Sequence, residues 1–284
     1  VWYRATVKLG KLPEGKPEPG AILMAVNGRI VERGDNLSAL LVDTVGKKTV
    51  LSWTASETTS STWDQPVKPV SRATTYGLYY ERWVQQQRDM VERLSKGRLG
   101  YVHIKAMDGP SLAHFKHELG DEMLGKEGVV IDVRYNGGGY TSVDVLEILM
   151  KKTWLKREYG GLGKVSENIY RSIALEKPSI LMINQASFSN AEIMAEGFRR
   201  LGIGKVVGVD TAGGCIGTGS YRLLDGSRMR LPSTGAYTVD GENLEETGRK
   251  PDIYVENTPD ELDQGIDRQT ERAVDELLKQ IDGK

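Results

Sequence analysis

Two segments of this 284-residue chain share one grammar, an apolar run that breaks into a polar turn and then opens a helical pattern. The first is Ile180-Leu-Met-Ile-Asn-Gln-Ala-Ser-Phe-Ser189-Asn-Ala-Glu-Ile193, whose turn carries serines. The second is Gly128-Val-Val-Ile-Asp-Val-Arg134, followed after Tyr135 by Asn136-Gly137-Gly138-Gly139. Each reads as a buried strand that feeds a helix through a sharp turn. One turn presents a hydroxyl and the other presents bare backbone amides. Brought together, they would be the two halves of an acyl-transfer site, because an oxyanion needs preorganised donors beside the attacking oxygen.

Ser189 is the candidate nucleophile. Its rival reading is structural: Ser189-Asn-Ala-Glu192 is also a capping box, with the serine side chain capping the helix and the glutamate reaching back. Ser187 reads as a turn residue. If Ser189 attacks, the backbone N–H of Asn190 contributes to the oxyanion hole, aided by the positive end of the helix dipole. Gly138 is the candidate second donor; a phosphate cradle or a plain tight turn competes with it. No Lys-Ser/Thr follows the glycines, so a Walker-type nucleotide loop is poorly supported. Asp132 and Arg134 read as a structural ion pair or as supports of the loop. His103 reads as a satisfied strand histidine, and His114 and His117 as a solvated helix face, since their spacing lacks the pattern of a zinc protease. Cys215 has no histidine near it in sequence and reads as a structural turn residue.

Around these turns, strand and helix patterns alternate: Tyr101–Ile104, Ser111–Leu124, Val129–Val133, Ser142–Lys152, Ser179–Ile183, Asn190–Leu201 and Val206–Val209. Such alternation argues a layered α/β domain. A hairpin is expected over Tyr221–Leu231 around Asp225-Gly226, and one amphipathic helix from Glu261 to Gln280. Tyr79 to Leu94 has helical spacing, with Trp83, Val84, Gln87, Val91 and Leu94 near one face. The N-terminal part reads differently, with strands at Val1–Val7, Ala21–Val26 and Thr49–Thr54, a turn at Asn27-Gly28 and a short helix over Asn36–Leu41. The predicted organisation is a β-rich domain over 1–55, a Ser/Thr-rich linker over 56–75 with one strand near Val67–Val70, and the α/β domain over 76–284.

Net charge is −1, which provides no electrostatic footprint for nucleic acid. No apolar run approaches a bilayer span. A single cysteine excludes an intrachain disulfide. The chain begins Val1-Trp-Tyr-Arg, without an initiator methionine or a signal peptide, and reads as a piece of a longer protein whose compartment is not legible.

Asp132-Val-Arg-Tyr-Asn-Gly-Gly-Gly139 and Ala186-Ser-Phe-Ser-Asn-Ala-Glu-Ile193 resemble the paired signatures of the tail-specific, C-terminal processing serine peptidases, in their tricorn branch. Further matches follow in order at Gly97–Ile104, Val206–Gly214, Glu245–Ile253 and Gly265–Val274, so the resemblance covers nearly the whole chain. It implies a layered α/β peptidase domain, related in architecture to the crotonase fold. Gly20–Gly28, Asn36–Leu41 and Gly46–Leu51 are similar to the latter part of a PDZ domain, with Ala21 where an aspartate is usual. The resemblance also implies a serine endopeptidase acting on peptides or unfolded chains, without metal or organic cofactor, and assembled as a homo-oligomer. Ser189 falls at the family's attacking serine, and Asn190 stands where the tricorn branch usually has aspartate. Glu245 matches the glutamate that supports the catalytic histidine, with Glu246 beside it as the neighbouring alternative.

The general base is the gap. Bacterial processing peptidases carry a lysine in a Thr-x-Gly-Lys-Gly string, which here reads Thr211-Ala-Gly-Gly214-Cys215, so glycine stands in the lysine's place. The tricorn branch instead uses a histidine preceded by serine, N-terminal to its PDZ domain, and this chain holds no Ser-His pair. The base is therefore expected outside these residues. Two rivals remain from the sequence: a non-catalytic peptide-binding member of the fold, and a crotonase-type acyl-CoA enzyme.

Overall fold

Near-continuous runs of Val, Ile and Leu without alternation mark strands that are covered on both faces. The computed structural model describes residues 17–18, 20–56, 58–59, 61–122, 124–152, 157–159, 164–166 and 176–283. The expected strand Val1–Val7 lies outside the described residues. The chain divides into two compact units, Val1–Arg82 and Trp83–Lys284.

The described part of the first unit holds β1 (Ile22–Val26), β2 (Arg29–Ile30), α1 (Leu37–Leu40), β3 (Thr49–Thr54) and β4 (Thr62–Val67), with the strands ordered β2-β1-β3-β4 in one antiparallel sheet. Asn27 and Gly28 join β1 to β2 with φ of 50° and 80°, the positive values that a tight hairpin turn of primed type requires. Asn36 caps α1, its Oδ1 accepting from the Ser38 N–H at 3.0 Å. Within the stretch read as a linker, β4 pairs with β3 along six residues, from Thr62 opposite Thr54 to Val67 opposite Thr49. Its polar composition and Pro66 suit an edge strand, where one face meets solvent and a missing N–H is tolerated. The long helix α2 (Arg72–Ser95) begins in this unit, seven residues before the pattern's first apolar face, with Ser71 Oγ accepting from the Thr74 N–H.

The second unit is a parallel sheet, described in chain order by β5 (Leu99–His103), α3 (Gly109–Glu122), β6 (Gly128–Asp132), α4 (Ser142–Met150), the short pair β7 (Arg157–Tyr159) and β8 (Lys164–Ser166), β9 (Ser179–Ile183), α5 (Asn190–Arg200) and β10 (Gly204–Gly208). A hairpin of β11 (Gly217–Arg222) and β12 (Arg228–Thr234), the strand β13 (Ile253–Tyr254), α6 (Pro259–Asp263) and α7 (Arg268–Ile281) complete it. The main sheet has the order β13-β10-β9-β6-β5, all parallel. Phe115 and Leu119 of α3, Val145 and Leu149 of α4, and Met194 and Phe198 of α5 share one core with Val129, Ile131 and Leu181 of the strands. Gly128 lies under Leu277 and Ile281 of α7, and a Cβ there would meet the Ile281 Cδ1 at 3.0 Å. The unit is thus a layered α/β domain, as the alternating pattern implies.

The single C-terminal helix expected over Glu261–Gln280 is two helices. Gly265 takes a φ of 77°, which ends α6 after one short stretch. Asp267 then starts α7 as its N-cap, with its side chain accepting from the Thr270 N–H at 3.0 Å.

Candidate active site

β6 and β9 are hydrogen-bonded neighbours in the sheet, and both turns leave from their carboxyl ends. That is where open α/β sheets place their functional loops. After β9, Asn184 and Ser187 close the turn on itself: the Asn184 N–H donates to Ser187 Oγ at 3.0 Å, and the Ser187 hydroxyl donates to the Val133 carbonyl at 2.8 Å. Ser187 is fully buried and both sides of its hydroxyl are committed, so it is the turn residue the sequence implies.

Ser189 is different. Its φ of 57° and ψ of −117° place a non-glycine residue in a sparsely populated region, at a cost of about 1–3 kcal/mol that the surroundings must hold. This is the strained strand-to-helix turn that lifts a serine hydroxyl clear of the sheet. Both halves of the capping box are present: Glu192 Oε1 accepts from the Ser189 N–H at 2.8 Å, and the Ser189 side chain faces the Glu192 N–H in a contact short of a full cap hydrogen bond. The two readings of Ser-x-x-Glu are therefore compatible: the box is formed, and a hydroxyl that only accepts within it keeps its own proton to give. Ser189 is half-buried, at the site's surface.

The triglycine turn packs directly on this elbow. Gly138 has a φ of 88°, and a Cβ on it would lie 2.7 Å from the Ser189 Cβ, 2.7 Å from the Phe188 carbonyl oxygen and 2.9 Å from the Asn190 nitrogen. No side chain fits there. The Asn190 N–H makes no hydrogen bond among the described residues. The Gly138 N–H donates to Asn136 Oδ1 at 2.9 Å, so as an oxyanion donor it must share or leave that bond. Asn136, which the sequence reading passed over, is fully buried and ties three segments. Its Nδ2 donates to the Ile104 carbonyl at 2.8 Å, and its own carbonyl accepts from the Phe188 N–H at 2.9 Å. The Asn190 side chain is also occupied, Oδ1 accepting from the Ser142 N–H at the start of α4 at 2.8 Å.

Beneath the two turns lies a buried charge cluster. Arg134, 2% exposed, donates to Asp132 and Asp267, each at 2.8 Å, and to Gln87, Gln269 and Thr270. The Tyr101 hydroxyl donates to Asp132 Oδ2 at 2.9 Å, and Trp83 lies under the guanidinium at 5.5 Å. Asp132 and Arg134 thus form the expected structural ion pair, extended by Asp267 from α7.

The glutamate segment reaches the site through backbone. Glu245 Oε2 accepts from the Cys215 and Ile216 N–H groups, both at 2.6 Å. Glu246 sits beside it with its N–H donating to the Gly213 carbonyl. Gly214, at the position of the bacterial lysine, faces the Phe188 ring, and a Cβ there would fall 2.2 Å from a ring carbon. Cys215 is buried with its thiol pushed up to about 12, chiefly by burial and then by the Glu192 charge, and its Sγ lies 3.9 Å from the Ser189 carbonyl oxygen. It is protonated at neutral pH and no nucleophile.

The histidines make their bonds elsewhere. His103 is buried and its Nε2 is 2.9 Å from the Arg134 carbonyl, with burial holding its pKa below the usual value. His114 and His117 are exposed on α3 beside Glu118 and Asp121. Among the described residues no group of three or more His, Cys, Asp or Glu could hold a metal, and no helix is long and apolar enough to cross a membrane.

A model of peptidase family S41 matches residues 98–255, which include both turns, Glu192 and Glu245. Tricorn protease homolog 1 of Streptomyces coelicolor is 36% identical over 264 residues, 90% of this chain and 23% of that protein. Tricorn protease of Thermoplasma acidophilum is 32% identical over 206 residues, 72% of this chain and 19% of that protein. The crystal structure of the tricorn protease superposes with a TM-score of 0.77 at 28% identity, covering 93% of this chain and 25% of that one. The chain therefore spans about a quarter or less of the length of these relatives.

Proposed function

Because the chain belongs to peptidase family S41, we propose that it is the core of a tricorn-type serine endopeptidase acting on peptides or unfolded polypeptides. The observation that carries this reading is the strained elbow geometry of Ser189, pressed against Gly138 and the unbonded Asn190 N–H. In the proposed mechanism the Ser189 hydroxyl attacks the peptide carbonyl and gives up its proton to a general base. The carbonyl oxygen becomes an oxyanion held by the Asn190 and Gly138 N–H groups, and the acyl-enzyme is then hydrolysed by water. Glu245 is the proposed third member, its Oε2 held by two amides so that the other oxygen can orient a histidine.

The base itself belongs outside these 284 residues in this reading, since the three histidines are committed to other partners and Gly214 replaces the lysine. The PDZ-like reading of the first unit, as a module that presents substrate chains by strand addition, rests on its sequence resemblance and its four-stranded sheet. Homo-oligomeric assembly rests on the resemblance alone. The acyl-CoA alternative is not favoured, because the matching family and relatives are peptidases.

The test is turnover of fluorogenic peptides with basic, acidic and apolar residues before the scissile bond. The full-length protein should cleave and its Ser189→Ala variant should not, while the isolated 284-residue chain should be inactive or nearly so. Cleavage by the isolated chain that disappears in Ser189→Ala would place a base within these residues and overturn that part of the reading.

A further inference from the structure

Four consecutive backbone N–H groups, from Gly213 to Ile216, are divided between two carboxylates. Gly213 and Gly214 donate to Glu192 at 2.7 and 2.9 Å, and Cys215 and Ile216 donate to Glu245. Glu192 is 0% exposed. Its other two partners are the Ser189 N–H at 2.8 Å and the Thr211 hydroxyl at 2.5 Å. A carboxylate has about four acceptor sites, so Glu192 is fully subscribed and has no lone pair left for proton transfer.

A serine that begins a helix ordinarily takes an extended backbone and spends its hydroxyl on the helix amides. Ser189 takes a positive φ instead, and its capping box with Glu192 forms without a full hydroxyl cap bond. Glu192 takes the Ser189 N–H and anchors it to a second segment, which holds the residue in this conformation. We infer that Glu192 is a positioning residue for Ser189, and that Gly213–Ile216 is a bridge of amides fixing Ser189 in register with Glu245. This rests on the reading of Ser189 as the nucleophile. It also assigns a use to glycine at 214, because the bridge passes against the Phe188 ring where a side chain would collide. Loss of the pin leaves the fold's core intact and lets the hydroxyl relax toward the helix, so its effect falls on turnover.

The experiment compares the full-length protein with Ser189→Ala, Glu192→Gln and Glu192→Asp, measuring kcat, KM and the urea midpoint. Glutamine presents an NH2 to two of the four donors, and aspartate is one methylene too short to span them all. Both folded variants should lose roughly a hundredfold in kcat, the scale of a misplaced catalytic group. KM should stay within about twofold, because substrate contacts are untouched. A folded Glu192 variant with parental kcat overturns the inference, as does failure of both variants to fold, which would make Glu192 a structural cap alone. Ser189→Ala that still cleaves would sink the nucleophile reading itself. An inactive Ser189→Ala beside active Glu192 variants would sink only the positioning role.

Discussion

Gly138 and Ser189 touch so closely that a single added methyl on the glycine would sit 2.7 Å from the serine Cβ, inside any van der Waals contact. Gly138→Val should therefore displace the elbow and, in the proposed mechanism, remove the second oxyanion donor together. Turnover should fall by roughly a hundredfold or more, the usual cost of one lost donor. Peptide kinetics on the folded variant check this, and unchanged turnover would reduce the triglycine to a chain turn.

The charge cluster below the site should be the costliest place to mutate for stability. Arg134→Met leaves Asp132 and Asp267 buried without their shared cation, and breaking such a pair costs about 3–5 kcal/mol. Urea unfolding should show a correspondingly lower midpoint. A loss typical of a surface substitution would mean that the cluster contributes little.

Stability should fall on acidification in two stages. Burial keeps the His103 imidazole below its usual pKa, with Asp132 opposing, so the folded protein resists protonation that the unfolded chain accepts. That contribution is fully present above about pH 6.5 and is lost as pH falls below it. For Asp267, burial pushes the carboxyl up, but Arg134 and the Thr270 N–H pull it down and prevail. Its contribution is present above about pH 4 and is lost as pH falls through the lower folded value. Urea midpoints between pH 8 and 3 should decline on going to acid, with His103→Asn flattening the upper stage and Asp267→Asn the lower. A decline unaltered by both substitutions would assign the acid sensitivity to other groups.

The strands and helices of the second unit were legible because their signals are local: apolar runs end at Asp132 and Ile183, and turn residues follow at once. The break of the last helix was less visible, since Glu261–Gln280 keeps an amphipathic period across Gly265, and the positive φ there with the extended N-cap Asp267 separates α6 from α7. The strand expected near Val67–Val70 lies instead over Thr62–Val67, because an edge strand need bury only one face and its Thr, Asp, Gln and Pro then look like a linker.

At the site, Ser189, Asn190, Gly138 and Glu245 could be named from residue types and resemblance. How the Ser189 elbow is held could not, because that depends on where Glu192 finds its other partners, at Thr211 and Gly213-Gly214 well along the chain. Asn136 escaped for the same reason: its bonds to Ile104 and Phe188 exist only once three strands are adjacent. The Gly-Gly after Thr211 was the available signal for the amide bridge, and it was read only as a missing lysine.

The central claim is that Ser189 is the attacking group. The most direct measurement is treatment of the full-length protein with a fluorophosphonate, followed by mass spectrometry of its peptides. A single adduct on the peptide carrying Ser189, absent in Ser189→Ala and formed in parallel with loss of peptide cleavage, is the predicted result. An active enzyme that is not labelled there, or that is inactivated by an adduct on another residue, would contradict it.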